Sequence, residues 1–389
     1  MTMTVKLQDI FREHLLSYQA NHGLTRQQHK AAQAILGCRT GAYGGRVEQC
    51  SDCDHTRILY NSCSNRHCPQ CQALAKERWI DARSEDLLPV SYFHVVFTLP
   101  EELQVVVLQN QELLYNLLFQ SVSQTLLELA ADPKYLGAQI GFTTVLHTWG
   151  QNLLFHPHLH CIIPNAGLAP GGHFQEGRKE FFLPIRVLSK LFRGKFMAGL
   201  QKFFDAGKLQ FHGSIRHLQA TAYFTTWRHK LYQKDWVVYS KQAFSGPQAV
   251  IAYLGRYTHR IAISNHRILA MSAQTITFEW FDYRDGEKKT MTLPAEEFLR
   301  RFLLHVLPHR FMRIRHYGLQ ANRNRNTKLK RCQRLAGAIV SAARFRNLNA
   351  VEIMSILVGR DITLCASCQK GKMLVRGPLP RSTSPPLSA

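Results

Sequence analysis

Acidic residues are scarce in this chain. Only 26 Asp and Glu stand against 49 Lys and Arg in 389 residues, a formal charge of +23 at pH 7, with a pI near 9.9. That balance is unlike an ordinary small-molecule enzyme and points to a polyanionic partner, most commonly nucleic acid. No apolar run reaches the ~18 residues of a membrane span, and MTMTVKLQDIFREH meets charge before a signal-peptide core could form, so a soluble, cytoplasmic protein is expected. No G-x-x-x-x-G-K-[ST] loop occurs, which excludes a P-loop helicase segment. What is present is a 45% hydrophobic composition, enough for real cores. At roughly 100–200 residues per domain the length fits two or three domains.

The apolar pattern predicts helices over 5–36 and up to Ser84, then a strand from Ser91 in SYFHVVFTLP. One long helix or two should follow from Glu101 and stop at Asp132-Pro133. GFTTVLHT and HPHLHCIIP read as strands joined at Trp149 to Asn152, and 185–232 is mostly helical. KDWVVYSK returns to strand, and a helix should start at Pro247. RILAMSAQTITFEWFDYRDGEKKTMTL reads as a hairpin with Asp285-Gly286 at its tip. Strands interleaved with helices in this order suit an α+β core, an antiparallel sheet flanked by helices. The expected division is a helical, cysteine-bearing, DNA-binding domain over 1–88, a central α+β core over 89–295, a basic helical C-terminal DNA-binding region over 296–375 and a disordered tail over 376–389. Phe298 to Val351 contains no acidic residue, and Arg300 to Arg334 holds eleven Lys or Arg. Arg313, Arg315, Arg323 and Arg325 are therefore expected to track phosphates.

The ten cysteines are clustered, and in a reducing compartment such spacing favours metal over disulfides. Cys50 and Cys53 form one CxxC, and Cys68 and Cys71 another with fourteen residues between them. Two such knuckles are a common way to supply tetrahedral zinc, so these four are the expected structural zinc ligands; the alternative is ordinary buried thiols. His29, Cys38, Cys63 and His67 could complete a second zinc, although no spacing rule compels it. A late pair, Cys365 and Cys368, supplies half a tetrahedron that Cys332 or a histidine could finish. The arginines around the cluster favour contact with DNA.

His158 and His160 alternate on a strand, so both imidazoles face one side and can share one ion. His147, at the end of the preceding strand, is the preferred third ligand, with Gln151 and His156 as rivals. Tyr253 and Tyr257 lie four apart on a helix, beside Arg256, His259 and Arg260. Such a pair is usually packing, but a phenol can also take a phosphoryl group when a metal draws charge off the phosphate.

FTLP (Phe97 to Pro100), HTWGQNLLFHPHLHCIIPNAG (His147 to Gly167), YLGRYTHRIAISN (Tyr253 to Asn265) and RIRHYGLQAN (Arg313 to Asn322), preceded by CRT and NSCSNRHCPQCQ, occur in order. Together they resemble the two-tyrosine HUH transposases of rolling-circle insertion sequences, the IS91 and ISCR type with an N-terminal zinc-binding domain. The resemblance implies that His158 and His160 bind a divalent ion, Mg²⁺ or Mn²⁺, and that Tyr253 and Tyr257 are nucleophiles. Each would cleave and rejoin single-stranded DNA at element ends through a 5′-phosphotyrosine. It further implies element-end hairpins and the host replication machinery as partners, in a bacterial, nucleoid-associated setting. A rolling-circle replication initiator or relaxase-like nickase would use the same chemistry; a zinc-stapled DNA-binding regulator would leave the histidines and tyrosines unexplained.

Overall fold

The computed structural model describes residues 5–178, 182–244, 249–250, 253, 255, 260–340 and 342–382. Its thirteen described strands are β1 Gly45–Cys50, β2 Thr56–Tyr60, β3 Tyr92–Thr98, β4 Gln139–Trp149, β5 Phe155–Pro164, β6 Ala166–Leu168, β7 Phe174–Glu176, β8 Val238–Phe244, β9 Ile268–Met271, β10 Thr275–Asp282, β11 Glu287–Pro294, β12 Ile314–Gly318 and β13 Met373–Leu379. The central sheet runs β7-β6-β4-β5-β3-β8, with β12 also paired to β4. Every pairing in it is antiparallel, so the molecule is the α+β assembly its sequence implies.

Alternation divides this sheet into two faces. Phe93, Val95 and Phe97 of β3, Ile140, Phe142 and Leu146 of β4, and Leu159, Cys161 and Ile163 of β5 join the main core. Helices Gln111–Ala131 and Ile185–Asp205 cover that face with Tyr115, Phe119, Phe192 and Phe196. Burying one such aromatic side chain contributes about 2–3 kcal/mol. The opposite parity points away from these helices and carries His94, His147, His158 and His160. The helical stretch after Glu101 is broken once, at Asn110, whose backbone leaves helical geometry (φ −128°, ψ 39°) and whose side-chain amide donates to the carbonyls of Val106 and Gln210.

Gly318 ends β12 at φ +58°, where a Cβ would collide with the Ile140 carbonyl oxygen. The glycine of RIRHYGLQAN is thus required by both its dihedral and its close approach to β4.

The expected division of the chain needs correction at three points. Strands β9–β11 form a separate sheet and leave the central core assigned to 89–295. Ile276 and Phe278 of that sheet are buried with helices Leu7–Asn21, Arg26–Gly37 and Ala295–Leu304, where Phe11 meets Phe302 edge-on at 5.5 Å and Phe278 meets Phe298 at 5.8 Å. An apolar strand face needs a cover, and the N-terminal helices supply it. Nor is 296–375 one body: its first helix packs in that N-terminal core, β12 joins the central sheet, and β13 pairs with β1. The tail expected to be disordered from 376 continues instead as β13 to Leu379; Pro378 is tolerated because β13 is an edge strand, where a missing N–H need not break a ladder. Among the described residues no helix is long and apolar enough to cross a membrane.

Candidate metal and tyrosine site

The β4–β5 hairpin builds the site. Its register sets His147 opposite His158 and Val145 opposite His160, so three imidazoles gather on the face turned away from the helices. One nitrogen from each of His147, His158 and His160 lies within 4.8 Å of the others. The rivals for the third place do not join the group. Gln151 donates to the Tyr283 hydroxyl at 3.0 Å, and His156 sits beside His158 with ring centroids 5.2 Å apart without joining the group. The turn itself is held by Arg267, which donates to the Gln151 carbonyl, and by Arg301, which donates to that of Asn152 at 3.0 Å.

A hydrogen bond fixes which nitrogen His158 can offer. His158 Nδ1 lies 2.7 Å from the His156 carbonyl, which can only accept, so Nδ1 carries the proton and Nε2 presents a lone pair. His160 Nδ1 lies 2.8 Å from His94 Nε2, and the His158 and His160 Nε2 atoms converge to 3.0 Å. Two lone pairs brought that close repel unless a cation or proton lies between them, and a divalent ion fits this donor set. Burial pushes His158 down to about 3, aided by the neighbouring His156, and holds His160 well below its ordinary value, so both are neutral, as metal ligands must be.

His94, on β3, went unnoticed in the sequence. It shares the parity of the site histidines, and a lone histidine at an alternate position of YFHVVFT was the only available signal. Its Nδ1 lies 2.6 Å from the Tyr253 hydroxyl, so one chain of contacts runs from Tyr253 through His94 to His160. Burial lowers the His94 pKa to about 4. Tyr253 is half-buried. Tyr257, Arg256 and His259 lie outside the described residues.

The basic residues divide by environment. Arg260 is half-buried, and its carbonyl accepts from the Arg313 guanidinium at 3.0 Å. Arg313 itself is 8% exposed, so its expected place on a phosphate path is corrected to an internal tie. Arg325 is likewise committed, pairing with Asp86 at 2.5 Å and facing Glu85. The Arg315 guanidinium lies over the Phe119 ring at 4.0 Å and donates to Asn116. Arg323 alone of these four stands exposed.

The cysteine grouping is also corrected. Cys50 and Cys53 do not meet Cys68 and Cys71. The latter join Cys38 and Cys63, all four sulfurs lying within 4.8 Å of one another, with Sγ separations of 3.2 Å for Cys38–Cys71 and 3.5 Å for Cys63–Cys71. A thiolate tetrahedron around zinc at ~2.3 Å has edges of about 3.8 Å, so this set matches. His29 is exposed and His67 half-buried, and neither belongs to the group. Cys50 and Cys53 face Cys365 and Cys368 instead. Cys332 is buried in another apolar cluster, with Leu319 and Leu329. Spacing alone could not choose among interchangeable CxxC pairs; the β-pairing did.

Residues 141–328 match the family described as "Putative transposase", and residues 10–99 match the "Transposase zinc-binding domain" of IS91 type. The "Putative transposase y4qJ" of Sinorhizobium fredii is 47% identical over 383 residues, 97% of this chain and 96% of that protein. The "Transposase for insertion sequence element IS801" of Pseudomonas savastanoi pv. phaseolicola is 26% identical over 310 residues, 77% of this chain and 72% of that protein. A metal-bound structure of the conjugative relaxase TrwC with oriT DNA aligns over 68% of this chain and 98% of its own at 14% identity, with a TM-score of 0.26. At nearly full-length coverage, the first of these relationships decides the matter: the chain belongs to the IS91-type transposases, with a zinc-binding domain at its N-terminal end.

Proposed function

We propose that this transposase cleaves and rejoins single-stranded DNA at the ends of its element, with Tyr253 and Tyr257 as nucleophiles and His147, His158 and His160 as ligands of Mg²⁺ or Mn²⁺. Imidazole nitrogens suit Mn²⁺, and positions filled by phosphate oxygens and water admit Mg²⁺. When bound, the ion supplies Lewis-acid polarisation of the scissile phosphate.

The observation that carries the reading is the chain from Tyr253 through His94 to His160. With its lone pair on Nε2, the atom that would ligate the ion, His160 would donate Nδ1–H to His94 Nε2. His94 then carries its proton on Nδ1 and donates it to the Tyr253 oxygen. That hydrogen bond favours negative charge on the phenol oxygen, both when it attacks and when it leaves. In the forward step the Tyr253 oxygen loses its proton to solvent and bonds to phosphorus, the P–O3′ bond breaks, and the 3′ oxygen takes up a proton from solvent and is released as a hydroxyl. The 5′-phosphotyrosine stores the bond, so rejoining is the reverse step and needs no ATP. Tyr257 would take a second strand while Tyr253 is occupied.

Single-stranded DNA, including hairpins at the element ends, is the partner this chemistry needs, and the net +23 charge supports it. Cys38, Cys63, Cys68 and Cys71 would hold one structural zinc, fixing the N-terminal helices against the nuclease core. The test is a labelled oligonucleotide incubated with Mg²⁺ or Mn²⁺ and resolved on a denaturing gel. A covalent adduct lost in the Tyr253→Phe, Tyr257→Phe double variant is expected; an undiminished adduct in that variant overturns the assignment.

A further inference from the structure

We propose that Cys50, Cys53, Cys365 and Cys368 form a second zinc site, one that clasps the C-terminal strand to the N-terminal domain. It lies partly outside both matched families' ranges and joins cysteines 312 residues apart.

Geometry comes first. The cross-pair Sγ separations, 3.6 Å for Cys50–Cys368 and 3.8 Å for Cys53–Cys365, fall at the ~3.8 Å edge of a zinc thiolate tetrahedron. They are far longer than the ~2.05 Å of a disulfide. Each pair sits on a tight turn that aims backbone N–H groups at sulfur: Asp52 N–H to Cys50 Sγ and Gly371 N–H to Cys368 Sγ, both at 3.4 Å. Such donors stabilise thiolate, the form that binds metal. Both turns are locked by backbone pairing, Ser51 N to the Lys372 carbonyl and Cys365 N to that of Gly371. A Cβ at Gly371 would come 2.5 Å from Cys50 Sγ, so glycine is what lets the two turns close on each other.

Energetics point the same way. The three-stranded sheet β13-β1-β2 has almost no apolar interior: its buried cluster is Cys50, Cys365 and Met373, with Cys53 and Cys368 against it. Ile58, Leu374 and Val375 are exposed. Removing so little apolar area from water cannot hold three strands, and small units of this kind depend on a metal. Sulfur-only donors select zinc among the common divalent ions.

The consequence concerns the acid-free segment. β12 ties its first half to the central sheet, and the clasp anchors the chain beyond its last residue in the zinc-bearing domain. Between them Asp81 accepts from the backbone N–H groups of Arg344 and Phe345, and Glu85 accepts from that of Ala343. The basic segment is therefore tied along its length, with Arg325 paired to Asp86 and Leu329 and Cys332 buried, and the clasp secures the chain that leaves it.

Elemental analysis of the purified full-length protein, reading zinc per chain, tests this. Two equivalents are expected in the native protein, and one in both the Cys365→Ser, Cys368→Ser variant and the Cys63→Ser, Cys68→Ser variant. Limited proteolysis of the Cys365→Ser, Cys368→Ser variant should newly cut within 361–382 while sparing 92–168. Zinc unchanged in that variant, or one equivalent in the native protein that survives in it, overturns the clasp. As a control for misfolding, Cys368→His keeps four ligands; it should retain two equivalents and change the Co²⁺-substituted spectrum, and a spectrum identical to the native one also overturns the proposal.

Discussion

The Tyr253 hydroxyl sits 2.6 Å from Nδ1 of His94, and the other nitrogen of that imidazole sits 2.8 Å from His160. One ring thus orients both a proposed metal ligand and a proposed nucleophile. His94→Ala should slow oligonucleotide cleavage by roughly 10–100-fold, the usual cost of losing a group that orients a ligand, and leave DNA binding within about twofold. His94→Asn, whose amide can replace the Nδ1 donor, should recover part of that loss. Single-turnover rates beside equilibrium binding check this; equal rates in the Ala and native proteins would remove His94 from the mechanism.

His160→Ala takes out the ligand at the centre of the histidine group. Cleavage should be lost at any Mg²⁺ or Mn²⁺ concentration, whereas binding to single-stranded DNA should persist, because phosphate contacts and not this ion supply most of the affinity. Chelation of the native protein should give the same phenotype reversibly, Mn²⁺ restoring cleavage. A parallel collapse of binding and cleavage in His160→Ala would mean that the histidines only hold the sheet together.

Period-two patterning made the β4–β5 hairpin and the shared face of His158 and His160 legible in the sequence, because a strand leaves no other way to place residues two apart. His94 was hidden because its role depends on β3 lying next to β5, a pairing between residues 66 apart that no local pattern encodes. The cysteine grouping was hidden for the same reason: Cys50 and Cys53 find Cys365 and Cys368 through the β1–β13 register, and a CxxC carries no record of its partner. The arginines misled because composition counts charge without showing which guanidinium is already bonded, as at Arg313 and Arg325.

Gly318 is the one glycine of the RIRHYGLQAN motif, and its position tolerates no side chain without a shift. Gly318→Ala must fit a side chain at φ +58° and directly against the Ile140 carbonyl oxygen, so β12 has to shift away from β4. We expect about 3 kcal/mol or more of destabilisation, above the ~1 kcal/mol of a left-handed alanine alone. Gly286→Ala, at φ +76° with nothing within 4 Å, isolates that smaller backbone cost. Urea unfolding of the two variants side by side reads the difference, and equal losses would show that the β4–β12 packing is not tight.

Arg323 and Arg313 should separate in a salt titration. Arg323, Lys330 and Arg334 are exposed on the acid-free segment, so converting all three to Ala should weaken binding to single-stranded DNA and flatten the slope of log K against log salt by about 0.7 for each phosphate no longer neutralised. Arg313 is 8% exposed and bonded to the Arg260 carbonyl, within the tyrosine motif. Burial and the nearby Arg66 charge bring its pKa down to about 10, which still leaves it protonated at neutral pH. Arg313→Ala should therefore leave the salt slope unchanged while lowering stability by about 2 kcal/mol, the scale of a hydrogen bond to a charged group. Measuring the slope and the unfolding midpoint on both variants decides the assignment: a flattened slope in Arg313→Ala would return that residue to the phosphate path.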